Sequence, residues 1–210
     1  MSDRFSREAL EWDRNADINL INETVAASVL PDILSPSDTV LELGCGTGIL
    51  SFKYYGSVAA WVGIDTSGGM IDVFRGKVPP GAGSRVRGLE MFLERPDQVV
   101  DHGPFSYGVS AMTFHHIPDM AATLACLAGC VDRGLLIVDY LAWDGSAVFH
   151  PDDKMEGVER HGLEADEMAR LCREAGFAHV DTSIGFTLTL DRLGKQVEFP
   201  FLVVHARHAQ

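Results

Sequence analysis

The chain has 210 residues, 46% of them apolar and 22% charged, with a formal net charge of −13. That size and composition suit one well-packed domain and exclude a disordered chain. The acidic balance argues against a sequence-independent grip on nucleic-acid phosphates, which needs clustered Lys and Arg, and no apolar run reaches the ~20 residues of a membrane span.

In chain order, residues 1–35 read as a helical lead-in. Phe5 to Trp12 is a short amphipathic stretch, and Ile18, Ile21, Val25, Val29 and Leu30 recur at helical spacing before Pro31 and Pro36. Thr39 to Leu43 is a short apolar run that stops at Gly44, as a buried parallel strand does. Gly48 to Tyr55 reads as a helix, Ala59 to Ile64 as a second strand ending at Asp65, and Gly69 to Lys77 as a helix. Arg85 to Phe92 is a third strand with its turn, Phe105 to Ala111 a fourth, Pro118 to Cys130 a helix, and Gly134 to Leu141 a fifth strand. A loop from Ala142 to Gly162 leads to a helix over Glu164 to Ala175, which Gly176 closes. Val180 to Leu190 and Val197 to His205 then pair as an antiparallel hairpin.

Alternating strands and helices imply a doubly wound α/β sheet with right-handed crossovers, all in a single domain over 1–210. The cysteines Cys45, Cys126, Cys130 and Cys172 form no CxxC pair, and Met1 to Asp17 is too charged for a secretory leader. A soluble, cytoplasmic protein is therefore expected.

Ligands of such sheets bind beyond the carboxyl ends of the strands. The first strand–helix loop here is Gly44-Cys45-Gly46-Thr47-Gly48. Its glycines clear side chains where backbone must approach a ligand. The spacing is neither the GxGxxG of dinucleotide binders nor a P-loop, which with the terminal hairpin weighs against a nicotinamide oxidoreductase. Asp65 ends the second strand, where a carboxylate can accept hydrogen bonds from both ribose hydroxyls or, alternatively, cap the turn Thr66-Ser67-Gly68.

The stretch Val40 to Gly48, with Gly63-Ile-Asp-Thr-Ser-Gly-Gly-Met70 and Ser110-Ala-Met-Thr-Phe-His-His-Ile-Pro118, resembles class I methyltransferases that use S-adenosylmethionine (SAM). Within that class it looks like the small-molecule branch related to quinone-biosynthesis enzymes. The resemblance implies a Rossmann-like seven-stranded sheet of order 3-2-1-4-5-7-6 with its last strand antiparallel, SAM as cofactor with S-adenosylhomocysteine as product, and a small-molecule acceptor. It implies roles as well. Glu42 would orient the loop or the methionine ammonium. Gly44, Gly46 and Gly48 would take the methionine part against backbone, and Cys45 and Thr66 stand in the same two turns. Asp65 would hold the ribose, Met70 would cover the adenine, and Ser110 would line the methionine side. Many relatives carry an Asp after strand three for the adenine amino group. This sequence departs from that and offers Glu90, with Glu94 competing. Residues 1–35 would form a lid over the cleft, with Trp12 either shielding the methyl or anchoring the lead-in helix to the core.

Methyl transfer needs an acceptor held in line and, for protic acceptors, a general base. The candidates are histidines: His115 and His116 after strand four, and His150 and His161 flanking the loop after strand five. Packing at a helix start is the alternative for the first two. Met112 and Phe114 could form an apolar wall or belong to the core. Asp139 and Asp144 could order the following loop, and no catalytic role is assigned to them. The histidine spacing matches no zinc pattern, so no metal is expected. A non-catalytic module that binds SAM or S-adenosylhomocysteine on the same fold is the alternative function.

Overall fold

Two helices, α1 (Arg4–Trp12) and α2 (Ala16–Ser28), lead into the sheet of the computed structural model, which describes residues 4–142, 156–192 and 195–209. Asn15 starts α2: its side chain accepts hydrogen bonds from the backbone N–H groups of Asp17 and Ile18, two donors that a helix start leaves open. Strand–helix alternation follows, with β1 (Thr39–Leu43), α3 (Ile49–Tyr54), β2 (Ala60–Asp65), α4 (Gly68–Lys77) and β3 (Val86–Glu90). After these come β4 (Phe105–Ala111), α5 (Met120–Ala128), β5 (Val131–Tyr140), α6 (Ala165–Glu174), β6 (His179–Arg192) and β7 (Lys195–Arg207). Ser67 caps α4 by accepting from the Met70 N–H at 3.3 Å, and Asp119 caps α5 by accepting from Ala122 at 2.9 Å.

The strands form one sheet of order β3-β2-β1-β4-β5-β7-β6. β1 to β5 are mutually parallel, and β7 runs antiparallel to both β5 and β6. This is the expected Rossmann-like methyltransferase topology. Its apolar contacts divide between the two faces. Val40, Trp61, Tyr107, Val109 and Leu136 pack with α2 and α3 through Ile21, Val25 and Leu50. Leu41, Ile64, Leu135 and Ile137 pack with α5 and α6 through Leu124, Leu127, Met168 and Leu171. Phe74 of α4 is fully buried against Cys45 and Val86, and burial of one such side chain contributes ~1.5–3 kcal/mol.

Element boundaries shift where pairing rather than burial sets the length. β6 starts at His179 and runs to Arg192, well beyond the expected Val180 to Leu190, because its outer residues pair with β7 through backbone although many of their side chains are exposed. β5 starts at Val131 rather than Gly134, because Val131 pairs with Phe105 across an irregularity in the β4–β5 register. The expected helix over Pro118 to Cys130 is trimmed at both ends, to Met120–Ala128.

Candidate functional site

The carboxyl ends of β1, β2, β3, β4 and β5 bring together nearly all the residues singled out from the sequence. The glycine loop turns through three positive φ angles, 72° at Gly44, 53° at Gly46 and 84° at Gly48, a region L side chains rarely adopt. The glycines are required for different reasons. A Cβ at Gly44 would lie 2.2 Å from the Thr113 Oγ1, and one at Gly48 would lie 2.5 Å from the Phe74 ring. At Gly46 the nearest groups are the Met70 Sδ at 3.9 Å and the Trp12 Nε1 at 4.0 Å. Gly46 therefore faces a crevice, whereas the other two face packed side chains. The Cys45 side chain points away from it. It is buried against Gly63, where a Cβ would meet its sulfur at 2.7 Å, and burial pushes its thiol pKa upward. With its side chain packed there, Cys45 presents backbone to the loop's other side.

Asp65 ties the two turns together. Its Oδ2 accepts from the Gly46 N–H at 2.8 Å and its Oδ1 from the Ser67 N–H at 2.9 Å. A carboxylate has about four lone-pair sites, more than its backbone donors here occupy, so the turn-capping role and a ribose-holding role are compatible. Burial raises its pKa, opposed by the hydrogen bonds from the Ser67, Gly46 and Thr66 N–H groups. Glu90 is paired with Asp65 across β2 and β3. Its carboxylate lies over the start of α4, with Oε2 3.0 Å from where a Cβ of Gly68 would stand. Glu94 lies in the loop beyond, its N–H donating to Gln98. Met70 is buried and Thr66 is exposed.

Glu42 and Ser110 turn inward. The Glu42 Oε2 accepts from the Ser51 hydroxyl and, at 2.7 Å, from the Trp61 Nε1. Burial pushes this carboxyl up to about 7, with Ser51 and Trp61 opposing the rise. Ser110 is fully buried and donates to the Leu43 carbonyl at 3.2 Å.

The lead-in helix lies over the site. Asp13, just past α1, accepts hydrogen bonds from the Thr47 hydroxyl in the glycine loop and, at 2.6 Å, from Lys77 of α4. The Ser6 and Ser67 hydroxyls are 2.9 Å apart. Phe5 meets Trp12 edge-on at 5.7 Å and His116 at 5.3 Å. Asp13 belongs with Trp12 to the lid element that the resemblance implies, but its bonds to Thr47 and Lys77 leave no mark in the sequence.

After β4 the chain turns sharply. Met112 takes a φ of 58°, held by its N–H on the Val138 carbonyl, and φ > 0 in a non-glycine residue marks a constrained site. Phe114 is fully buried in the core, so it is packing rather than a substrate wall. His115 is 2% exposed, and its Nδ1 lies 2.7 Å from the Asp139 Oδ1. Asp139 also accepts from the His115 N–H at 3.1 Å and from the Tyr140 N–H at 2.8 Å. The adjacent His116 ring is 3.9 Å from that of His115, and its Nδ1 donates to the Gly157 carbonyl at 2.6 Å. Burial and the His115 neighbour push His116 down to about 4, so it is neutral at pH 7. Arg160, missed in the sequence, clamps this turn by donating to the carbonyls of Phe114 and Ile117. His161 is exposed, and it is Asp139 that His115 meets. His150 and Asp144 lie outside the described residues.

Among the described residues no group of three His, Cys, Asp or Glu could hold a metal ion, and no helix is long and apolar enough to cross a membrane.

This sheet order, with a glycine turn after β1 and an acid ending β2, defines the class I SAM-dependent methyltransferases. Residues 40–134 match the family described as a methyltransferase domain. A stretch of 74 residues is 34% identical to malonyl-[acyl-carrier protein] O-methyltransferase of Anoxybacillus flavithermus, covering 34% of this chain and 27% of that protein. The chain thus spans about a quarter of that relative's length. Among solved structures, a SAM-dependent methyltransferase from Aquifex aeolicus superposes with a TM-score of 0.66 at 17% identity, over 97% of this chain and 98% of its own. Magnesium protoporphyrin IX methyltransferase from Synechocystis PCC 6803 with bound SAH gives 0.63 at 19% identity, over 91% and 83%. At those identities the superpositions speak for the fold. The narrower quinone-type branch finds no counterpart among these relatives.

Proposed function

We propose that the chain transfers a methyl group from SAM to a small-molecule acceptor. The observation that carries this is the crevice at Gly46, where the loop offers bare backbone beneath Trp12 and beside Met70 and Asp65. These residues fit the cofactor. Asp65 can still accept from the ribose, Met70 borders the space an adenine would need, and Glu90 sits one strand over for its amino group. Gly44, Gly48 and Ser110 shape the turn from behind, and Glu42 fixes the loop through Ser51, the third residue of α3. SAM supplies an activated methyl on a sulfonium. The protein's part is to hold the two reactants and keep water away. α1 and the Asp13 contacts to Thr47 and Lys77 suit the lid role of residues 1–35. The ordered pair His115 and Asp139 at the carboxyl end of the sheet favours an enzyme over a module that only binds the cofactor.

Calorimetry tests the reading directly. Binding of S-adenosylhomocysteine, with none of NAD, is the expected result. A protein that binds neither SAM nor S-adenosylhomocysteine overturns it.

A further inference from the structure

Trp12 ends α1 and brings its ring to the glycine loop, with Nε1 4.0 Å from where a Cβ of Gly46 would stand. Phe5 braces the ring edge-on at 5.7 Å. An indole N–H only donates hydrogen bonds. Trp61 spends its own on Glu42 at 2.7 Å, whereas that of Trp12 meets no acceptor among the described residues. Nor is it sealed off. Among the described residues the buried side-chain atoms without a partner are the Arg87 Nε, the His205 Nε2 and the Arg207 Nε. The half-buried Trp12 thus presents a free and reachable donor beside the loop.

The other donors at this place are already committed. The N–H groups of Gly44 and Cys45 bond the Ile64 carbonyl, that of Gly46 bonds Asp65, and that of Gly48 bonds the Cys45 carbonyl. Of the amides in this loop, that of Thr47 is left. The Thr47 hydroxyl and the Lys77 ammonium both go to Asp13. What the site offers instead is acceptors, in Asp65 and Glu90. The adenosine of SAM suits them, because its ribose hydroxyls and its amino group donate. The ammonium of the amino-acid tail donates as well. The carboxylate of that tail is the cofactor's one anionic group, and it can only accept. An anion taken out of water needs charge-assisted hydrogen bonds to offset the loss, and the loop amides are nearly all spent. Asp13 does not repel such a group, since Lys77 neutralises it at 2.6 Å.

On the reading that this site binds SAM, we propose that Trp12 is a cofactor-binding residue whose Nε1–H donates to the carboxylate of the amino-acid tail. SAM and S-adenosylhomocysteine share that tail, so the product serves as the probe. α1 then meets the ligand at its tail, and the adenosine is left to Asp65 and Glu90.

Calorimetry tests this with S-adenosylhomocysteine and its decarboxylated analogue, each on wild type and on Trp12→Phe. The substitution keeps an aromatic ring against Phe5 and removes the N–H. Expected is a roughly 10- to 100-fold loss of S-adenosylhomocysteine affinity, the usual range for a hydrogen bond to a charged group. Affinity for the decarboxylated analogue should stay within about twofold. An equal loss for both ligands puts Trp12 on the adenosine and overturns the assignment, as does unchanged affinity for S-adenosylhomocysteine. Should Trp12→Phe fold poorly, proton–nitrogen NMR of the ¹⁵N-labelled wild type carries the test by itself. The Trp12 indole N–H signal should move downfield with S-adenosylhomocysteine and not with the decarboxylated analogue. The same shift with both, or none with either, overturns the contact. Wild type that binds neither ligand overturns the cofactor reading and this contact together.

Discussion

Replacing Glu42 by Gln should stabilise the protein, and only above neutral pH by the full amount. Glu42 is 3% exposed, and burial moves its carboxyl from the ordinary 4.5 to about 7. A carboxyl raised on folding keeps a proton in the native state that the unfolded chain has already released. Stability from this group is thus lost as pH rises from 4.5 to about 7, and the loss is complete above that. At ~1.4 kcal/mol for each pH unit between the two values, the wild-type protein gives up about 3 kcal/mol at pH 8 and about 1 kcal/mol at pH 5. A Gln carbonyl can accept from both Ser51 and Trp61, as the single Glu42 Oε2 does, so the variant keeps the contacts and drops the charge. The wild-type pH profile alone does not isolate the effect. His116, pushed from 6.5 to about 4, refuses a proton that the unfolded chain takes up, so its share of stability is lost as pH falls from 6.5 to 4. The two slopes oppose each other, and only the difference between variant and wild type separates them. Urea unfolding at pH 5 and pH 8 is the assay. A stability gain from Glu42→Gln that does not grow between those two pH values would refute the buried-charge argument.

Gly44→Ala should fold poorly, losing about 2–4 kcal/mol, since the new Cβ at positive φ would lie within 2.3 Å of two Thr113 side-chain atoms; a melting temperature like wild type would contradict this. Gly46→Val meets no such clash but puts a β-branched residue at a φ of 53°, costing on the order of 1–2 kcal/mol; the sheet should stay folded, with far-ultraviolet circular dichroism unchanged, while calorimetry shows S-adenosylhomocysteine binding lost, and retained binding would remove Gly46 from the cofactor path. Asp65→Ala frees the N–H groups of Gly46 and Ser67, so affinity for S-adenosylhomocysteine should drop at least 100-fold, about 3 kcal/mol; calorimetry with unchanged affinity would reduce Asp65 to a turn cap. Asp13→Ala cuts the bonds from Thr47 and Lys77 to the segment after α1 and should speed proteolytic cleavage within α1 several-fold; equal cleavage would show that apolar contacts alone hold the helix down.

The strands β1, β2 and β4 were legible because each is buried on both faces, whereas β3, at the sheet edge with Arg87 and Leu89 half-buried and Glu90 exposed, carries a weaker pattern. The terminal hairpin was legible from two strand-like runs with no helix between them, but not its full length, since backbone pairing leaves no mark on polar residues such as Asp191 and Gln196 near its tip. Asp65 stood out by its position, because the end of a strand fixes which turn a side chain serves, whereas Met70 and Glu90 stood out only through the resemblance to methyltransferases. The pairing of His115 with Asp139 was not legible. The two residues lie on adjacent strand ends, and the register that brings Ala111 beside Val138 is set by tertiary packing. Arg160 escaped for a similar reason. Its partners are carbonyls, and a carbonyl carries no sequence signature.

The glycine loop also shows how far such a motif speaks for a ligand. Gly44 and Gly48 answer to Thr113 and Phe74, both of which are part of the packed protein. A relative that had lost its cofactor would still need both glycines to keep its fold. At Gly46 a Cβ would only touch Met70 and Trp12, so no clash explains this glycine, and the case for a ligand rests on it and on Asp65, which holds its N–H in place. Thr113 adds a mechanical consequence. Its hydroxyl donates to the Gly44 carbonyl at 3.3 Å, two residues before the His115 that Asp139 orients. The glycine loop and the turn after β4 are therefore one packed unit, and a change at Gly44 must reach His115 as well as the loop.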